Sequence, residues 1–190
     1  HYNITNGKLW VDHKLKAVSK LLNNYNIIIS KMENYAEDNT NRAQDKTKVK
    51  GYLNKLRKHK MVLYIALVKD ILDVVNKVSL LFQRENITVS SAVTKLQSAT
   101  SVLRNMIDNE RDQLVEIRNE IVDRKLHGHT LCNIVQGQSL AANTTRMIQS
   151  LLDCMNTRIE NLTVEPIFTS CYAFHNKRTD LLLETVKHWN

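Results

Sequence analysis

One proline and four glycines in 190 residues leave this chain very few places to turn sharply. Both residues punctuate loops. A sandwich of short strands or a doubly wound α/β fold would need many more of them. What replaces them is a sustained apolar stripe. Val11, Leu15, Val18, Leu22, Tyr25, Ile29 and Met32 step along the chain by alternating fours and threes, which is one face of an α-helix. The sequence therefore predicts an all-α fold built from long antiparallel helices in a bundle or array.

The stripe sets the expected organisation. Residues 1–10 read as a lead-in and 11–190 as a single helical domain. A first helix is expected over 11–35. The segment 37–47, EDNTNRAQDKT, holds no apolar run and reads as a polar loop. A second helix is expected over 48–82, with Leu53, Leu56, Leu63, Leu67, Ile71, Val74 and Val78 inward. Within it MVLYIALV, 61–68, is apolar nearly all round and should be buried on several sides. Thr88 or Ser90 would cap a third helix over 90–124 through its hydroxyl. The glycine-bearing stretch HGHTLCNIVQGQ, 127–138, is a break. A fourth helix over 139–160 ends before Glu165–Pro166, and a last one is expected near 179–189. No strand is expected.

Twenty-seven basic and 19 acidic residues give a net charge of +8, which suits an acidic partner such as nucleic acid without defining a fold. The cations concentrate in KTKVKGYLNKLRKHK, 46–60. Lys46, Lys48, Lys50, Lys55, Arg57, Lys58 and Lys60 occur there with no acid among them. Such a run attracts phosphates irrespective of base sequence. It equally describes the solvated face of a helix beside a loop. Trp10 is a candidate stacking platform for an unpaired base, or a packing anchor.

The remaining chemistry is sparse. Cys132, Cys154 and Cys171 are odd in number and irregularly spaced, which argues against a disulfide framework and for a reducing compartment. His127, His129 and Cys132 fall close together, but the spacing matches no common zinc motif, so no metal site is expected. No phosphate loop, G-x-S-x-G or H-E-x-x-H is present. Neither a cofactor nor a catalytic centre is expected. No apolar run approaches the roughly 18 residues of a membrane span. A chain that begins at His1 is expected to be a piece of a longer protein.

Three phrases carry a family resemblance: LWVDHKLKAVSKLLNNY (9–25), TKVKGYLNKLRKHKMVLYIALVKDILDVVNKVSLLFQRENITVSSAVTKL (47–96) and TDLLLETVKHW (179–189). Together they resemble proteins derived from hAT-superfamily DNA transposases, in the domesticated, zinc-finger-bearing vertebrate form. The resemblance implies the all-helical insertion domain of an RNase H-like core and a nuclear location. It implies that Trp10 matches a tryptophan that holds a flipped base, although Leu9 stands where the family has arginine. The family's catalytic acids fall outside this stretch, and two-metal phosphoryl transfer needs all of them together. The expected role is thus non-catalytic, binding DNA or a protein partner. The alternative is a helical protein-interaction scaffold with no nucleic-acid role.

Overall fold

The structure, a computed structural model, describes residues 5–82, 87–134 and 137–164, with side chains over 11–82, 87–134 and 141–160. The helix expected near 179–189, together with Cys171 and His175, lies outside the described residues. The fold is all-α: α1 (Thr5–Asn23), α2 (Tyr25–Glu37), α3 (Ala43–Leu56), α4 (His59–Leu81), α5 (Val89–Asp108), α6 (Asp112–Glu120) and α7 (Gly137–Val164). Between α6 and α7 lie two two-residue strands, β1 (Lys125–Leu126) and β2 (His129–Thr130). Among the described residues no helix is long and apolar enough to cross a membrane.

The apolar stripes run where the sequence places them, but each of the first three expected helices is cut once. The helix expected over 11–35 begins already at Thr5 and breaks at Asn24, which leaves helical geometry at φ −111°, ψ 17°. There the Asn24 side-chain amide donates to the Lys20 carbonyl at 2.9 Å, competing with the helix's own ladder. The helix expected over 48–82 breaks at Arg57–Lys58, and α3 starts upstream at Ala43, so the polar loop shrinks to 38–42. Inside that loop the Asp38 carboxylate accepts from both the amide and the hydroxyl of Thr40, each at 2.8 Å. These bonds hold the Asp38 carboxyl below its ordinary range.

The third cut, at Asn109–Arg111, separates α5 from α6. Thr88 caps α5 as its side chain allows, its hydroxyl accepting from the Ser91 amide at 3.2 Å. Arg111, at the N-cap of α6, offers no side-chain acceptor. Asp70 of α4 supplies one instead, its two oxygens accepting from the amides of Gln113 at 3.4 Å and Leu114 at 3.1 Å. Asp70 is only 6% exposed, and burial pushes its carboxyl above the ordinary range.

Two compact units divide the chain. Among the described residues, one comprises 5–13, 72–82, 87–109 and 141–164 and the other 14–71, 110–134 and 137–140. In the first, the buried stripes are Val75 and Val78 of α4, Leu96 and Leu103 of α5, and Ile148 and Leu152 of α7. In the second, α2 packs on α3. The Tyr25 hydroxyl, at the start of α2, donates to the Leu56 carbonyl at the end of α3, so the two helices run antiparallel. Val62, Leu63, Tyr64, Ala66 and Leu67 are all buried, as expected of the apolar stretch. Leu114 and Ile117 of α6 and Leu126 and Leu131 around the hairpin complete that core.

The hairpin is the element absent from the sequence reading. β1 and β2 pair antiparallel with Leu126 opposite His129, leaving His127 and Gly128 as a two-residue turn. Both have positive φ, 50° and 86°, as a type I′ turn requires. Asp123 and Arg124, at φ 49° and 61°, make a similar reversal between the paired Val122 and Lys125. Short strands of this kind leave no hydrophobic alternation to read.

Candidate nucleic-acid interface

The basic segment is presented by α3 and by the turn that follows it. Val49, Leu53 and Leu56 form the inward edge of α3, with Leu53 buried. At about 100° per residue, Thr47, Gly51, Asn54 and Lys55 face away from that edge, with Lys48 and Tyr52 on one flank. All six are exposed. Lys48 lies 3.8 Å from Asp45, both side chains well solvated, so the pair is weak. Tyr52 is 61% exposed, an unusual position for an aromatic ring on a packed helix. A Cβ added to Gly51 would meet nothing within 4 Å, so the helix surface is bare there.

The seven cations of the segment do not form one patch. Lys48, Lys50, Lys55 and Lys58 are exposed. Lys46 is half-buried, its ammonium 3.4 Å from the Asn39 side-chain oxygen. Arg57 is half-buried and ion-paired with Glu33 of α2. Lys60 sits 5.4 Å from the centre of the buried Tyr64 ring, a cation–π contact. Of Lys55, Arg57, Lys58 and Lys60, expected in solvent on one helix, only Lys55 and Lys58 are exposed and only Lys55 lies on α3. Arg57 and Lys60 lie past the end of α3, and their charge is taken up by Glu33 and Tyr64. Trp10 falls in the α1 backbone, and its side chain is outside the described residues.

What holds α3 in place is the hairpin segment. Cys132 bridges the helix break: its amide donates to the Arg57 carbonyl at 2.8 Å, and its carbonyl accepts from the His59 amide at 2.9 Å. That pairing fixes Lys58, the residue between, with its side chain outward. His129 is tied to α2 three times. Its Nε2 lies 2.8 Å from the Asn26 side-chain oxygen and 3.4 Å from the Ser30 hydroxyl, and its Nδ1 lies 3.5 Å from a Glu33 oxygen. The ring meets Tyr25 edge-on at 6.5 Å, and His127 approaches the same tyrosine at 6.4 Å.

Tyr25 is the centre of this cluster. It is 1% exposed, and burial pushes its phenol from 10.0 up to about 12, against the opposing pull of Arg57. His59, at the first turn of α4, is held below the ordinary histidine value of 6.5 by burial and by the Arg118 guanidinium. His127, His129 and Cys132, read from sequence as atoms zinc would accept, are brought together here, but they face Glu120, α2 and the Arg57 carbonyl respectively. Among the described residues no three His, Cys, Asp or Glu side chains converge as metal ligands. Cys154 lies on α7 in the other unit.

Sequence reasoning missed Tyr52, Gly51 and Glu33. Tyr52, three residues after Val49 and four before Leu56, falls at core spacing, so nothing local marks its 61% exposure. Nothing local marks Glu33 as the partner of Arg57. Set against known proteins, the chain matches no family model, no curated protein and no solved structure.

Proposed function

We propose that this chain is a non-catalytic DNA-binding segment, of the nuclear, transposase-derived kind that the resemblance to the hAT superfamily implies. It engages the phosphate backbone through Lys48, Lys50, Lys55 and Lys58. The observation that carries the reading is the exposure of these four cations on α3 and the turn after it. The exposed lysines carry no base-reading geometry, so binding is sequence-independent.

Affinity should lie at roughly 10⁻⁴–10⁻⁶ M and fall steeply with salt, as counterions are released from DNA. The test is fluorescence anisotropy on duplex DNA across a salt series, comparing wild type with a variant in which the four lysines are glutamine. Glutamine keeps helix propensity nearly constant. Binding should weaken and the salt slope flatten by about 0.9 for each lysine in contact. An unchanged slope would overturn the reading.

A second reading, a helical protein-interaction scaffold, draws support from Ile27 and Tyr35, which lie two turns apart on α2 and are 53% and 39% exposed. Apolar docking of a partner helix depends little on salt, so the same series separates the two.

A further inference from the structure

We infer that the outward face of α3 takes an unpaired stretch of DNA strand, with Tyr52 as the platform on which a base stacks. The inference rests on the DNA-binding reading above and names the form of DNA.

Duplex binding through phosphates needs cations and nothing else. The face of α3 holds more than that. Tyr52 is 61% exposed, with Lys48 four residues before it and Lys55 three residues after it, on the same side of the helix. Tyr52 borders the Val49–Leu53–Leu56 edge, yet the core takes in Leu53 and leaves the tyrosine ring exposed. A base inside a duplex is stacked on both faces and closed to a protein ring. A base in a single strand has a free π-face, and stacking it on an aromatic side chain while lysines track the backbone is the general way such strands are held.

Gly51 provides the second element. Glycine in a helix interior costs about 1 kcal/mol relative to alanine. Here it has no compensating need for positive φ and no tight neighbour, since a Cβ would meet nothing within 4 Å. Its effect is on the surface. Lys48, Asn54 and Lys55 lie beside it at the helical offsets of three and four, as does Thr47, whose hydroxyl donates back to the Ala43 carbonyl, so the missing side chain leaves a shallow floor bordered by an amide and two cations. A sugar-phosphate backbone can approach the helix closely at that floor, which brings the adjoining base over Tyr52. The helix is anchored from behind by the Tyr25–Leu56 bond and the Cys132 bridge, so the platform is presented on a fixed element.

The test uses the full chain and three labelled probes: oligothymidine, a duplex of equal length, and oligouridine. Wild type should bind oligothymidine more tightly than duplex. Tyr52→Ala should weaken oligothymidine binding about 5- to 100-fold and leave the duplex affinity unchanged, while Tyr52→Phe, which keeps the ring, should bind like wild type. Both substitutions are at an exposed helical position, and a far-UV circular dichroism spectrum matching wild type confirms the fold. If Tyr52→Ala binds oligothymidine as well as wild type while the four-glutamine variant loses binding, the stacking inference fails and the phosphate reading survives. If the four-glutamine variant binds as wild type does, the phosphate reading itself fails. Preference for oligouridine over oligothymidine would overturn the assignment to DNA.

Discussion

The outward face of α3 and the hairpin that anchors it are built from similar residues and put them to opposite use. In the hairpin region the polar side chains are paired inward: His129 to Asn26, Ser30 and Glu33, Tyr25 to the Leu56 carbonyl, and Arg57 to Glu33. On α3 Lys48, Lys50, Lys55 and Tyr52 are exposed, and the Lys48–Asp45 ion pair is weak. A histidine–cysteine cluster looks like chemistry in a sequence and a lysine-rich helix looks like solvation. Here the partners reverse that impression. The cluster uses its donors and acceptors to hold two helices and a loop together, and the lysine face lies exposed.

The comparison can be broken by mutation. The largest effect is expected at Leu126, which is fully buried in β1. Leu126→Ala should destabilise the protein by about 2–5 kcal/mol, because a cavity opens where the hairpin meets the core. Urea denaturation measures this, and a shift under 1 kcal/mol would mean the hairpin is not an anchor.

A smaller loss is expected at high pH. Tyr25 keeps its proton in the folded state to about 12, whereas the unfolded phenol loses it near 10.0. The folded state therefore binds more protons across that window, and stability falls as pH rises from 10 toward 12. Tyr25→Phe should remove that fall, and should cost about 0.5–1.5 kcal/mol at neutral pH for the lost hydrogen bond.

At the acid end, the lowered value of His59 acts in the opposite sense. The unfolded imidazole takes up a proton near 6.5 and the folded one only below it, so stability is present above 6.5 and declines as pH falls through that value. His59→Gln should lessen the decline between pH 7 and 5 in a thermal-melt series. The smallest effect belongs to the α3 face. Replacing Lys48, Lys50, Lys55 and Lys58 with glutamine should shift stability by no more than about 0.5 kcal/mol per site, as solvated positions do.

These contrasts show how far the sequence was legible. The all-α class and the inward stripes were readable because a 3.6-residue period is local and repeated, and the Thr88 cap because its hydroxyl acts within one turn. The cuts at Arg57–Lys58 and Asn109–Arg111 were not. The first is made by Cys132, 75 residues from Arg57, and the second is capped by Asp70, 43 residues before Gln113. Both depend on groups that only the folded chain brings near. The site was half legible for the same reason. The sequence located the basic run, but dividing it into outward lysines and engaged Arg57 and Lys60 needed Glu33 and Tyr64 in place.

The central claim is that the exposed lysines of α3 act outward while the hairpin residues act inward. The direct measurement is the slope of log affinity for DNA against log salt, taken for wild type, for the four-glutamine variant and for Tyr25→Phe. The account predicts a steep slope for wild type, an unchanged slope for Tyr25→Phe, and a flattened slope with weaker binding for the four-glutamine variant. A four-glutamine variant with the wild-type slope and affinity would contradict it.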